Sequence, residues 1–258
     1  ARGLPNTPPD DYAHYATGPL EPGIQTGFCC STGGGWAPWL WAHESQLHPI
    51  PDAMPDERAV LVEPLAGGVH AAAVAAQAVA GVDRPIVAIL GAGTMGLAAL
   101  AAARRHLPED TRIVVGARYP HQIALAKAIG ADEVVQAAKL DRAVRRMAGC
   151  HLIADHLSSG AHVTVDAVGS SESITDSLRI TRPRGRVALL GMPADVKLDL
   201  TGLWHRETEL KGVYTYTPNE FATAVDLADH YQAERLLSAT YRLDDHVDAL
   251  AHAAAAGR

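Results

Sequence analysis

At 258 residues the chain can bury a core large enough for one α/β domain and part of a second, so a single small domain is excluded. Its formal charge of −7 and a pI near 6.0 give no general attraction to nucleic acid or acidic membranes, and the arginines at 104–105, 142–146 and 182–186 read as solvated faces. Cys29, Cys30 and Cys150 are too few and too oddly spaced for a disulfide framework, and no signal-peptide pattern opens the sequence, which together imply a cytoplasmic location.

Residues 1–62 are rich in Pro, Gly and Trp and lack a helical period. Short strands are expected at 25–30 and 37–41, with a turn at Gly33-Gly34-Gly35, so the segment reads as β-rich and separate from the rest of the chain. Cys29-Cys30 then form a buried strand pair, and Trp36, Trp39 and Trp41 are expected in the core. Over 55–80 the period turns helical; the apolar stretch 69–82 is mostly alanine, is broken by His70 and Gln77, and reads as a packed helix rather than a membrane span.

From Pro85 strands and helices alternate: a strand at 86–90, a helix to 106, a strand at 113–115, a helix at 120–130, a strand at 133–135 and a long helix from 140. Next come a strand at 163–168, a helix at 172–180, a strand at 187–190 and a last strand at 212–216, then helices at 218–230 and 244–256. Such alternation implies right-handed crossovers and a doubly wound parallel sheet. His151, Asp155, His156 and His162 cluster in sequence, and metal ligation is conceivable there, but the stretch reads as an exposed loop or helix.

The junction of the first strand and helix carries chemistry. Gly91-Ala92-Gly93-Thr94-Met95-Gly96 closes the apolar run 86–90 and opens an Ala/Leu-rich helix, the context a G-x-G-x-x-G dinucleotide turn requires. Gly91 permits the tight turn, Gly93 lets the backbone approach a pyrophosphate, and Gly96 lets helix pack on strand, while N–H groups and the helix dipole at Thr94 and Met95 attract phosphate. Some 20 residues on, where an NAD site carries an acid for the ribose hydroxyls, the sequence is Gly116-Ala117-Arg118-Tyr119. Two small residues leave room for a ribose phosphate and Arg118 can bond it, so the expected cofactor is NADP ahead of NAD.

Taken together, HESQLHPIPDAM at 43–54, VEPLA at 62–66 with His70-Ala71, ILGAGTMG at 89–96, ALAKAIGADEVV at 124–135, VDAVG at 165–169 and GRVALLGMP at 185–193 resemble the zinc-type medium-chain dehydrogenase/reductase family of alcohol, polyol and glucose dehydrogenases. The resemblance implies a Rossmann cofactor sheet beside a partial β-rich, GroES-like catalytic domain formed from both chain ends. The expected divisions are 1–62 for the β-rich part, 63–84 for an interdomain helix, 85–217 for the Rossmann domain and 218–258 for helices returning to the catalytic domain. Val168, Gly169, Gly191 and Met192 would stand at strand ends near the nicotinamide. Glu63 falls where polyol-type members carry a zinc ligand or a carboxylate beside the metal, and it is the catalytic and metal candidate; as a plain helix-start carboxylate it also suits the dipole. His70 is expected to pack between domains, and Trp204-His205-Arg206 to lie at a subunit interface of a homodimer or homotetramer.

The chain also departs from the family. The cysteine and His-Glu pair that family members bring to the metal from a segment preceding this one, and the four-cysteine lobe, have no counterpart in the sequence, which reads as a member shortened at both ends with an incomplete zinc site. The expected activity is NADP-dependent hydride transfer between nicotinamide and a small-molecule alcohol or carbonyl (a polyol, sugar or secondary alcohol), impaired in this chain. Two alternatives stay open: a zinc-independent quinone or enoyl reductase of the same fold, and a non-catalytic nucleotide-binding or subunit-interaction module.

Overall fold

The computed structural model describes residues 36, 38–39, 47–154, 156–193 and 195–255; the expectations at Cys29-Cys30, Trp41, His43-Glu44 and Asp155, and the strand expected at 25–30, lie outside them. The chain divides into two compact units, residues 58–233 on the one hand and residues 1–57 with 234–258 on the other.

In the larger unit α1 (Asp56–Ala59, at its boundary) and α2 (Val62–Val79) lead into β1 (Ile86–Leu90), α3 (Thr94–His106), β2 (Arg112–Ala117), α4 (Pro120–Ile129), β3 (Glu133–Gln136) and α5 (Leu140–Ala148). A small hairpin of β4 (Leu152–Ile153) and β5 (His156–Leu157) precedes β6 (Ala161–Asp166), α6 (Ser171–Ile180), β7 (Thr181–Leu189), α7 (Thr201–Arg206), β8 (Glu209–Gly212) and α8 (Pro218–Tyr231). Six strands form one parallel sheet in the order β3-β2-β1-β6-β7-β8. The order reverses between β1 and β6, the switch point at which doubly wound sheets open a crevice beyond their carboxyl ends. Leu90 pairs with Gly116 on one side and Asp166 on the other, and Asp166 with Leu189, so four strands end together along that edge.

The apolar run of β1 is buried at all five positions, as a central parallel strand covered on both faces must be. The helical segment ending at Val79 is long and apolar enough to cross a membrane, but Val62, Leu65, Val69, Val74 and Val79 are buried inside the protein, which makes α2 a core helix. Its glycines explain how closely it packs: a Cβ at Gly68 would come within 2.5 Å of the Ala98 carbonyl carbon, and one at Gly67 within 2.9 Å of Met95 Cε, so α2 and α3 touch almost backbone to backbone.

Several elements differ from the sequence reading. The last strand is Glu209–Gly212, set by parallel pairing of Arg186 with Glu209 through Leu189 with Gly212, and not the more apolar 212–216. An edge strand tolerates the exposed polar pattern of ELKG, which hides it from a search for apolar alternation. Strand β7 begins at Thr181, because Ala161 pairs with Thr181 and Val163 already with Arg186, so residues 182–185 bulge out around Pro183 and Gly185. Helix α5 has nine residues and stops at Gly149 in the left-handed conformation. His156 lies in the short hairpin, and His162 is no loop residue: it sits in β6, where its Nδ1 accepts the Ile86 N–H at 3.0 Å.

The described part of the smaller unit contains α9 (His246–Ala255), with no buried residue. Trp36 stands edge-on to the His246 ring, 6.5 Å between centroids. Trp36 and Trp39 are 64% and 89% exposed, so neither belongs to the core expected of them.

Candidate cofactor site

The glycine turn lies at the switch point. Gly91 has φ +96°, its N–H donates to the Gly116 carbonyl at 3.1 Å, and a Cβ on it would meet Val168 Cγ2 at 2.7 Å. At Gly96 a Cβ would lie 1.8 Å from the Gly91 carbonyl oxygen. Both are therefore required by the chain's own packing. Gly93 is different: it is the N-cap of α3, its φ is −77°, and a Cβ there would meet no atom of the described residues within 4 Å. No side chain caps α3, so the N–H groups of its first turn face the crevice uncapped, with the positive end of the helix dipole behind them. This cradle fits a pyrophosphate.

At the end of β2, Gly116 is glycine for another reason than open space, since a Cβ would press on Leu140 Cδ2 at 3.2 Å and Ala137 Cα at 3.4 Å. Ala117 is fully buried, and Arg118 is the first exposed side chain of the loop. Its guanidinium lies 5.5 Å from the centroid of the Tyr119 ring, which stacks on His121 at 5.7 Å and 4°. Gln122 does not stand out in the sequence, yet its Oε1 accepts the N–H groups of Arg118 and Tyr119 at 3.0 and 3.2 Å. A signal is present even so: a glutamine at the third position of a helix opened by Pro120 commonly reaches back over the helix start.

The other wall is formed where β6 and β7 end. Val168 and Met192 project outward, 48% and 88% exposed, while Gly169 (φ +81°) and Gly191 are buried between them. A Cβ at Gly191 would come within 2.4 Å of the Val168 carbonyl carbon, and one at Gly169 within 2.8 Å of the Gly191 oxygen. Sequence reasoning passes over Asp166, a fully buried carboxylate whose Oδ1 accepts the N–H groups of Val168 and Gly169 at 2.9 and 3.0 Å.

Glu63 is exposed in the first turn of α2, one turn from Gly67 on the same face and so on the side that packs against Met95. The Tyr216 hydroxyl donates to its Oε1 at 3.1 Å. His70, seven residues on, meets the Glu220 carboxylate of α8 at 2.9 Å, a contact within the 58–233 unit rather than between units. Burial pushes the Glu220 carboxyl up, but bonds from His70 and the Thr217 N–H outweigh it and hold the pKa below its ordinary value. Catalytic zinc takes three protein ligands and one open position. Among the described residues no three His, Cys, Asp or Glu side chains gather to hold a metal, so these residues do not make a zinc site.

Arg206 is buried and not at a surface: it donates to the carbonyls of Leu157 at 2.9 Å, Thr181 at 2.7 Å and Leu178 at 3.2 Å, whereas Trp204 is 78% exposed.

The sequence pattern of zinc-binding dehydrogenases matches residues 94–230, from the start of α3 into α8. The chain belongs to the zinc-binding dehydrogenases. Relatives of this chain include the L-threonine 3-dehydrogenase of Rhizobium rhizogenes, 29% identical over 183 residues, covering 70% of this chain and 49% of the relative. The sorbitol dehydrogenase of Arabidopsis thaliana is 32% identical over 168 residues, covering 65% of this chain and 44% of the relative. The chain thus spans about half the length of the curated relatives it matches. Among solved structures, the L-idonate 5-dehydrogenase of Escherichia coli superposes with a TM-score of 0.71 at 26% identity, covering 91% of this chain and 63% of that one. The medium-chain dehydrogenase resemblance and the Rossmann fold read from the sequence are both borne out.

Proposed function

We propose that the chain holds NADP for hydride transfer between the cofactor and an alcohol or carbonyl of small size, the alcohol being a polyol, sugar or other secondary alcohol. The observation that carries this reading is Gly93, the one glycine of the turn whose lack of a side chain the protein's own packing does not use. The space it leaves, beside uncapped N–H groups, suits a pyrophosphate. Arg118, with no acid from Gly116 to His121, supports a ribose phosphate over bare ribose hydroxyls. Relatives named for threonine, sorbitol and idonate support a secondary alcohol, since the hydroxyl oxidised at the named position of threonine and idonate is secondary.

A nicotinamide cofactor, when bound, supplies the hydride acceptor or donor at its ring. The chain's part is to hold and orient. The turn at 91–96 fixes the pyrophosphate, Arg118 the ribose phosphate, and the paired ends at 168–169 and 191–192 shape the wall against which a ring would lie. Glu63, steadied by Tyr216, is the carboxylate proposed beside the reacting alcohol. The division that goes with this reading keeps 85–217 as the cofactor domain, and exposed Trp204 is offered as part of a subunit contact in a homodimer or homotetramer.

Calorimetric titration of the purified chain with NADPH and NADH tests the assignment. NADPH binding at least tenfold tighter than NADH, on the order of 1.4 kcal/mol, is expected. Equal affinities would overturn the NADP preference, and no binding of either would overturn the cofactor reading.

A further inference from the structure

Asp166 joins two segments that come from different strands. Its side chain is fully buried, with Oδ1 accepting from the N–H groups of Val168 and Gly169 at 2.9 and 3.0 Å and Oδ2 facing the Ser177 hydroxyl at 3.5 Å. Its main-chain oxygen accepts from Leu190 N–H at 2.9 Å and Gly191 N–H at 2.8 Å. One residue therefore holds four N–H groups, two on the segment after β6 and two on the segment after β7. The glycines complete the fit, because a Cβ at Gly191 would lie 2.6 Å from the Gly169 nitrogen and 2.4 Å from the Val168 carbonyl carbon. Gly91 joins from the third side, its absent Cβ leaving room for Val168 Cγ2.

We propose that Asp166 is a positioning residue that sets the wall formed by 168–169 and 191–192 before any cofactor arrives, and so governs affinity for the nicotinamide half of the dinucleotide but not for its adenosine half. The inference rests on the cofactor reading above. A buried carboxylate stays only where N–H donors replace its water, and the same donors lose their partner when it goes. The segment at 168–169 then has no side-chain acceptor to keep its turn at the φ of +81° that Gly169 adopts. The adenosine half, held by the glycine turn and Arg118, keeps its contacts.

The experiment compares wild type, Asp166→Ala and Asp166→Asn by calorimetry with NADPH and with adenosine 2′,5′-bisphosphate, and by amide exchange of the cofactor-free proteins. For Asp166→Ala we expect NADPH affinity to fall about tenfold or more, adenosine 2′,5′-bisphosphate to bind within about twofold of wild type, and exchange at Val168 and Gly169 to quicken about tenfold. Asp166→Asn, whose amide oxygen can accept the same two bonds, restores NADPH binding to within about threefold. Equal losses for both ligands, or a loss the asparagine does not rescue, would overturn the proposal, as would unchanged exchange. If Asp166→Ala does not fold, Gly191→Ala, which pushes the same two segments apart without touching the carboxylate, carries the test: NADPH must weaken while the bisphosphate holds. Wild type that binds neither ligand defeats the cofactor reading, while the exchange data still decide whether Asp166 holds the wall.

Discussion

The two ends of the parallel sheet use opposite means to deal with helix termini. At the carboxyl end of the strands, helices begin: α3 starts with no side-chain cap, Gly91 and Gly96 let the turn pack closely, and Gly93 leaves the space before it open. At the other end buried carbonyls need donors; here Arg206 is pushed inside and directs its guanidinium to Leu157 of β5, Leu178 in the last turn of α6 and Thr181 at the start of β7. Thr164 and Thr181 share a buried hydroxyl bond of 2.7 Å beside it. One end is left donor-rich and open, the other is closed by a cation. The helix dipole thus favours an anion where α3 begins, while carbonyls gathered from two strands and the end of α6 hold a buried cation. The lesson is that stability and binding are placed at different ends of one scaffold, so mutations should separate them.

The sharpest separation comes from Arg206. Arg206→Met keeps the apolar stem but leaves three carbonyls without their charged donor, and we expect a loss of about 3 kcal/mol or more, a fall of roughly 6–12 °C in melting temperature. NADPH affinity of the folded fraction should stay within about twofold. A variant that melts normally but loses cofactor would show that the two ends are not independent.

Gly93→Val is the converse. A Cβ there would meet no atom of the described residues within 4 Å, so the melting temperature should hold to within a few degrees, while the branched side chain fills the pyrophosphate space. We expect binding of NADPH and NADH to fall by about a hundredfold or more, near 2.7 kcal/mol. Persistence of tight binding in a titration would remove the glycine turn from the site.

How much of this contrast is legible in the sequence depends on what each end is made of. The open end is built from main chain and glycine, and an apolar strand running into G-x-G-x-x-G and then an alanine-rich helix announces itself by type and spacing. The closed end is built from side chains that are far apart in sequence. Arg206 reads with Trp204 and His205 as part of a subunit interface until β5, α6 and β7 bring their carbonyls to it. The same limit hides Asp166, whose place in VDAVG is visible but whose grip on the segment after β7 depends on strand pairing. Gly67 and Gly68 carry no sequence signal of their role until Ala98 and Met95 are seen against them. The strand at 209–212 escapes a sequence search because an edge ladder is chosen by its neighbour's register, not by its own apolar period.

Arg118 probes the open end more gently. It is exposed, and solvent screens whatever it bonds, so Arg118→Ala should weaken NADPH only about five- to tenfold, near 1 kcal/mol, and leave NADH unchanged. The NADPH effect should shrink as salt rises. Equal loss for both cofactors would mean that Arg118 supports the loop through its stacking on Tyr119 and does not read the phosphate.

The smallest effect is a pH dependence at the closed end. Burial, then the charges of Arg182 and Arg112, hold the His162 pKa below its ordinary 6.5. The neutral ring is also the form whose Nδ1 can accept the Ile86 N–H that starts β1. With the folded pKa depressed, the unfolded chain binds the proton more readily. This contribution to stability is therefore complete above pH 6.5 and drains away as pH falls from there through the lower folded value. Glu220, with its own lowered pKa, adds a second loss further into acid, beginning near the ordinary carboxylate value of 4.5 and running through the lower folded value. His162→Gln keeps an acceptor for Ile86 and does not titrate. Urea midpoints measured at pH 5, 6 and 7 should therefore fall less steeply with acid in the variant than in wild type, while the pH 7 values stay close. Parallel slopes would show that the proton lost on folding belongs to another group, and that the closed end owes its hold to Arg206 and the threonine pair alone.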